Sequence, residues 1–257
     1  MWRHRGLLAE LVKREFSGRY RGSFGGVAWS LAQPLFLLAV YTVAFGVILK
    51  ARWGGQGGTA DYALMLFAGL IVFNTFAECL TRAPTLVASN PNFVKKVVFP
   101  LELMPWVMVL AALAHAAIAV AVWLAAYAAL FGMPRATALF FPAIFACFAP
   151  VLLGLGWLLS AVGVLVRDIA QVTSLVAHAL LFLTPIFYTV DAAPAALRPL
   201  LLANPLTFIV EALRHVLFDG TLPSLPALAL YFVLACVFAW LCLALFRRMR
   251  PAFADLV

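Results

Sequence analysis

Hydrophobic positions arrive in this chain as long runs separated by short polar clusters. Six runs predict membrane-crossing helices, at about 27–49, 62–81, 101–131, 137–166, 169–190 and 225–246. A bilayer core of roughly 30 Å is crossed by about 20 helical residues rising about 1.5 Å each. The third and fourth runs exceed that length and are expected to tilt, kink or project. Pro34, Pro105, Pro142 and Pro150 mark the expected kinks, because each removes a backbone donor.

Ahead of the first run the pattern changes. Leu8, Val12, Phe16 and Tyr20 recur at four-residue spacing, and Glu10, Lys13, Arg14, Glu15, Arg19 and Arg21 fill the positions between. Helical spacing puts the apolar residues on one side and the charges on the others. Residues 1–24 therefore read as an amphipathic helix along the membrane surface, and residues 25–257 as the transmembrane domain. Gly22, Gly25 and Gly26 provide the turn between the two. Charges scattered through residues 3–21, followed by so long a run, do not fit a cleaved signal peptide.

The polar connections differ in kind. Residues 82–100 contain NPNFVKKVVFP at 90–100, where Asn-Pro opens a turn and Pro91 suits a first helical position. Phe93, Val97 and Val98 give such a helix an apolar side, while Lys95 and Lys96 stay wet. From the residues alone this is either a docking element or a positively charged loop that fixes topology. Arg167 and Asp168 form a shorter turn, a second contact or a local helix-end ion pair. The segment 191–224 is too polar to span, and Pro194, Pro199, Pro205 and Pro223 break it. Two short helices are expected there, at about 195–202 and 206–218, either re-entrant or lying at the interface.

Composition sharpens the class. Of 257 residues 66% are hydrophobic and 11% charged, and the mean hydropathy is +1.05. Soluble domains are about a quarter charged, so this is an integral membrane protein with little mass outside the bilayer. The net charge of +8 belongs to residues flanking apolar runs, a pattern of topology signals and anionic-lipid contact and not of nucleic-acid binding. With the amino terminus cytoplasmic, 13 of the 18 basic residues fall inside and 5 outside, and both termini are expected in the cytoplasm. Cys79, Cys147, Cys236 and Cys242 lie in or beside apolar runs without CxxC spacing and read as small buried residues.

Catalytic and metal-binding patterns are missing: no GxxxxGK[ST] phosphate loop, no HExxH, no GxSxG. No metal site and no catalytic residue is expected. The intramembrane ionisable candidates are Glu78, His115 and His178. Glu78 sits four residues before Arg82, the spacing of a helical ion pair, and both histidines suit hydrogen-bonded packing.

RYRGSFGGVAWSLAQPL at 19–35, NPNFVKKVVFP at 90–100, VRDI at 166–169, LTPIFY at 183–188 and NPLTFIVEALR at 204–214 occur in an order that resembles ABC-2 type polysaccharide export permeases. These are the membrane subunits of exporters for O-antigen, teichoic acid and related glycans. Gly25 and Gln33 depart from that pattern, where larger apolar residues and Asn are commoner. The resemblance implies an all-α fold of six transmembrane helices with an interface helix and short re-entrant helices in the last external loop. It implies a homodimer in the bacterial inner membrane, bound to two copies of a cytoplasmic ABC ATPase. ATP and Mg would sit on that ATPase, and a lipid-linked polysaccharide would pass between the two membrane subunits.

On that footing Asn90, Pro91, Asn92, Phe93, Lys95, Lys96, Arg167 and Asp168 are the expected ATPase-coupling residues. Arg14, Arg19, Tyr20 and Arg21 would shape the substrate entrance, where guanidinium groups suit phosphate. Trp29, Tyr41, Phe187 and Tyr188 are the aromatic candidates for the channel wall, and Asn204, Pro205, Glu211 and Arg214 for the re-entrant segment. The alternatives are an exporter of drugs or small lipids in the same superfamily and an ion-coupled flippase needing no ATPase. An intramembrane transferase would need a polar cluster that these scattered residues do not suggest.

Overall fold

A backbone surrounded by hydrocarbon must satisfy its own hydrogen bonds, and a helix does so within one segment. The computed structural model describes residues 5–19, 22, 24–48, 58–91, 93, 100–166 and 168–253 and has no strand among them. Its α-helices are α1 (Arg5–Gly18), α2 (Trp29–Tyr41), α3 (Thr59–Arg82), α4 (Leu103–Phe131), α5 (Phe141–Leu165), α6 (Ile169–Leu183), α7 (Arg198–Ala203), α8 (Pro205–Arg214) and α9 (Leu225–Met249). A 3-10 turn at Gly26–Ala28 leads into α2, and a π-helical stretch, Thr42–Ile48, continues it.

Four helical stretches among the described residues are long and apolar enough to cross a membrane: Thr59–Thr85, Leu103–Phe131, Ala136–Leu165 and Leu225–Ala252. Two apolar helices are shorter, Trp29–Phe45 and Ile169–Leu183. The chain is an integral, multi-pass membrane protein. The expected run 169–190 is cut short because Pro185 pushes Thr184 into an extended conformation (ψ 138°) and ends α6 at Leu183. In the segment 191–224, helix starts at Arg198 rather than near 195, and the second piece continues from Arg214 as a π turn, His215–Asp219.

α3 is the post around which the bundle is built. Of its most apolar window 83% is buried inside the molecule, against 17% for α9, whose other faces are left for lipid. α4 is fastened to it where the Trp123 indole donates to Leu64 O at 2.8 Å. α9 lies along α5, close enough at Gly154 that an added Cβ would sit 2.6 Å from the Phe238 ring. At the far end of α5, a Cβ on Gly163 would come within 2.0 Å of Pro84 O, so only glycine fits against the 3-10 turn Ala83–Thr85. The expected Gly22–Gly26 turn leads from α1 into α2, with positive φ at Gly22 (85°) and Gly26 (49°), which L side chains avoid.

Candidate functional site

The two ends of the bundle are built differently. At the end carrying α1, the Leu8, Val12 and Phe16 stripe lies over Leu110 and Ala114 of α4. None of α1 is fully buried, as suits a helix half sunk in an interface. Phe16 meets the His115 ring at 4.6 Å, and His115 Nδ1 lies 2.8 Å from Ala111 O, so this histidine is engaged in packing. The pair expected within α3 is present, Arg82 donating to Glu78 at 3.1 Å. It is also half of a larger cluster. Arg19 makes a two-pronged pair with Glu78, one contact at 3.2 Å, and Arg82 reaches across to Glu15. Two bases and two acids cancel, and they lash α1 to the Arg82 end of α3.

Arg14, the next basic residue of α1, lies over the Phe93 ring at 5.8 Å, within cation–π range. Leu11, Leu86, Asn90, Phe93, Met104 and Met108 close a small cavity of about 50 Å³ around this contact. Of the expected coupling residues, then, Phe93 touches the interface helix. Asn90 turns its amide onto Leu86 O at 2.9 Å and holds the turn before Pro91. Asp168 is exposed immediately before α6. Asn92, Lys95, Lys96 and Arg167 lie outside the described residues, as do Tyr20 and Arg21 of the expected entrance. Arg19, expected at the entrance, turns both terminal nitrogens to Glu78.

Above that cluster, Ser30, Gln33, Asn74 and Thr75 line a cavity of about 100 Å³ whose floor is Arg19, Glu78 and His115. Asn74 is exposed within α3, whose neighbouring residues are buried. It opens a polar notch between α2 and the core.

The opposite end is organised by Arg214, 1% exposed. Its guanidinium donates to Pro185 O at 2.7 Å, Ile186 O at 2.8 Å and Met65 O at 3.1 Å, and pairs with Glu211 at 2.9 Å. A Cβ on Gly69 would lie 2.7 Å from Arg214 Nη2, so that glycine leaves room for the charge. Asn204 caps α8 by accepting from Leu206 N at 3.0 Å, with Pro205 in the first turn, and donates to Thr184 Oγ1 at 2.9 Å. The four expected re-entrant residues thus converge on one joint, which ties α8 to α3 and to the broken end of α6.

Beside the joint runs a row of aromatic rings. Phe45 stacks on Phe187 at 5.5 Å and meets Tyr41 at 6.2 Å, and Phe187 stacks on Phe182 at 5.7 Å. Tyr62 donates to Phe187 O at 2.9 Å, and Tyr188 to Phe182 O at 2.7 Å. Tyr41, Phe187 and Tyr188 are brought together. Trp29 is not: it lies twelve residues from Tyr41, about 18 Å along a helix, with its indole folded over Gly25.

The described residues thus hold a helix whose apolar stripe packs on α4, and a short helix, α8, fastened to α3 and to the broken end of α6. Residues 7–218 match the family described as ABC-2 type transporter. The chain belongs to the ABC-2 type transporter family. Among the relatives of this ABC-2 protein is the O-antigen export system permease protein RfbA of Myxococcus xanthus. It is 25% identical, with 99% of this chain and 96% of that protein covered. Two proteins of the same name from Klebsiella pneumoniae are each 23% identical, covering 98% of this chain and 95% of their own length.

Sequence reasoning did not anticipate Glu15, the Arg19–Glu78 contact or Glu102, which pairs with Arg250 at 3.2 Å. Their partners lie 59 to 148 residues away. The one available signal was an acidic residue next to an apolar run at a bilayer boundary, which calls for a counter-charge without naming it.

Proposed function

We propose that this ABC-2 protein is the membrane permease of an ATP-driven exporter that moves a lipid-linked, O-antigen-like polysaccharide out of the cytoplasm. The observation that carries this reading is the match to O-antigen export permeases along almost the whole of both chains. In the proposed assembly two copies of the chain meet in the bacterial inner membrane with their termini in the cytoplasm. Each copy crosses six times, α2 with its π extension and α6 with its re-entrant partner making the two shorter crossings. Two copies of an ABC ATPase, holding ATP and Mg, bind the inner face, and this chain has no catalytic site of its own.

The mechanism follows from the two ends. A push on the inner turn at 90–93 reaches α1 through Phe93 and Arg14, and α3 through the Glu15–Arg82 pair. α2 follows α1 through the Gly22–Gly26 turn and rocks against α6 of the second copy, opening a path for the glycan. The aromatic row of Tyr41, Phe45, Phe187 and Phe182 supports a sliding path, because ring faces accept the C–H faces of sugars without a fixed hydrogen-bond register.

The test is purification of the chain with its native companions, together with the charge-reversed variant Lys95→Glu with Lys96→Glu. A nucleotide hydrolase is expected to co-purify, and the variant is expected to keep hydrolysis while losing surface glycan. Glycan export with no hydrolase bound would refute the proposal, and unchanged export by the variant would remove the 90–96 segment as the coupling point.

A further inference from the structure

Glu102 stands where the inner segment ends and α4 begins. An acid at a helix amino terminus ordinarily caps the first turn, but this one makes no side-chain cap. Its carboxylate is turned instead to the end of the last helix, with Oε1 3.2 Å from Arg250 Nη1 and 3.8 Å from Arg247 Nε. The Glu102 side chain is 20% exposed. Its backbone oxygen accepts from the Trp157 indole of α5 at 3.1 Å. One residue therefore joins α4, α5 and α9.

The end of α9 is shaped to hold this contact. After Met249 the chain turns through a 3-10 helix, Arg250–Ala252, and Phe253 returns into the bundle with no exposure. Its ring meets that of Phe246, also fully buried, edge-on at 5.3 Å. Basic residues after a last span are explained by topology alone, and Arg248 needs no more than that. Arg247 and Arg250 have a specific acid to face, and the buried Phe253 keeps the turn from fraying.

The entry to the same inner segment is held at Arg82, by Glu15 of α1 and by Glu78. The segment is thus tied at its start to the interface helix and at its finish to the last helix. We propose that Glu102 is a positioning residue for energy coupling: gripped by Arg247 and Arg250, it makes α4, α5 and α9 follow the inner segment as one body. This rests on the reading of that segment as the ATPase contact. Without the grip, a push applied at 90–93 moves α1 while the exit at Pro100–Glu102 gives way.

The experiment uses the whole complex. The chain and its ATPase are expressed in a host lacking its own permease gene, and surface glycan is read by periodate oxidation and hydrazide labelling of intact cells. MgATP hydrolysis is measured on the complex purified from the same cells, per mole of permease. Glu102→Gln is expected to lower surface glycan about threefold or more while hydrolysis stays within about twofold of the unmodified complex, the scale on which partly exposed ion pairs act. Arg247→Gln with Arg250→Gln changes only the last turn of α9 and its cap, and it is expected to give the same split. Arg250→Lys should keep more than half of the export.

A parallel fall of glycan and hydrolysis would mean that Glu102 only stabilises the bundle, and would overturn the inference. So would unchanged export in either variant, or a split in one and not the other. If Glu102→Gln does not accumulate, the double arginine variant decides alone. If the unmodified chain exports with no ATPase bound, the proposed function itself has failed, and the two failures remain distinct.

Discussion

Replacing Arg214 by Met keeps the length of the side chain and removes its charge. Four hydrogen bonds go with it, three to backbone carbonyls and one to Glu211. Met65 O lies inside α3, so its loss is the smallest. Pro185 O and Ile186 O belong to the broken end of α6 and are left in the interior without this donor. Orphaning a buried acceptor costs about 1–3 kcal/mol. Interhelical hydrogen bonds in membranes average nearer 0.6 and reach about 1.7 kcal/mol. Relief from burying the guanidinium offsets part of the loss, which leaves a net cost of about 2–4 kcal/mol. For a chain of this length each kcal/mol corresponds to about 2–4 °C in the melting midpoint, so the expected drop is about 5–15 °C. Because such proteins unfold irreversibly, the assay is the temperature at which half of the monodisperse chromatographic peak is lost after a fixed heating time. Arg214→Lys keeps the charge, but a single ammonium does not span three carbonyls held by a planar fork, and about half of the loss is expected. A midpoint for Arg214→Met within about 2 °C of the unmodified protein would refute the view that this side chain holds the outer joint.

Two further outcomes follow from the packing. Gly163→Ala drives a Cβ to 2.0 Å from a backbone oxygen that no side-chain rotation clears, whereas at Gly154 the nearest obstacle is the Phe238 ring, which can turn, with the Ala239 backbone at 3.2 Å. Gly163→Ala is expected to cost about 1–3 kcal/mol and Gly154→Ala less, and an equal or reversed order of melting midpoints would contradict these close approaches. Arg19→Gln with Arg82→Gln removes the cluster's bases and is expected to free α1 without unfolding the bundle. Trypsin cleavage at Lys13 and Arg14 should accelerate several-fold while the melting midpoint moves little, and unchanged cleavage would show that the ion pairs do not hold α1.

The four long apolar helices were readable because hydrophobic run length is a one-dimensional property. Residues 62–81 and 101–131 are apolar along the chain whatever they pack against, and α3 and α4 lie on them. That α1 would be a helix with one apolar face was readable for a related reason, since four-residue spacing of Leu8, Val12 and Phe16 is local. The end of α6 was misjudged because residues 184–190 stay apolar after the backbone has left the helix. Pro185 was the signal, and hydropathy outweighed it. Arg214 was legible as part of a motif, but its burial was not, because an arginine beside a short external helix ordinarily reaches for water. What draws it inward is the set of carbonyls left open by the break after Thr184, and that set exists only once α6, α3 and α8 have met.

The two ends of the bundle are held by interactions of unlike strength, and this bears on which end moves. The inner end depends on partly exposed pairs, with side chains 17–35% accessible in the Arg19, Glu78, Arg82 and Glu15 cluster. Pairs of that exposure contribute at most about 1 kcal/mol each, so several can break and remake at modest cost. The outer end depends on a buried charge with three carbonyl partners, whose disruption costs several times more. In the proposed assembly, a load applied from the cytoplasmic side would therefore find its weakest links next to where it acts. On that proposal the pairs at the α1 end would exchange first, while α8, α3 and the end of α6 stay together as a pivot. In the other arrangement, with the buried arginine inside and the exposed pairs outside, the load would have to unmake the strongest joint before anything moved. The arrangement seen is the one that the proposed drive from the cytoplasmic side requires.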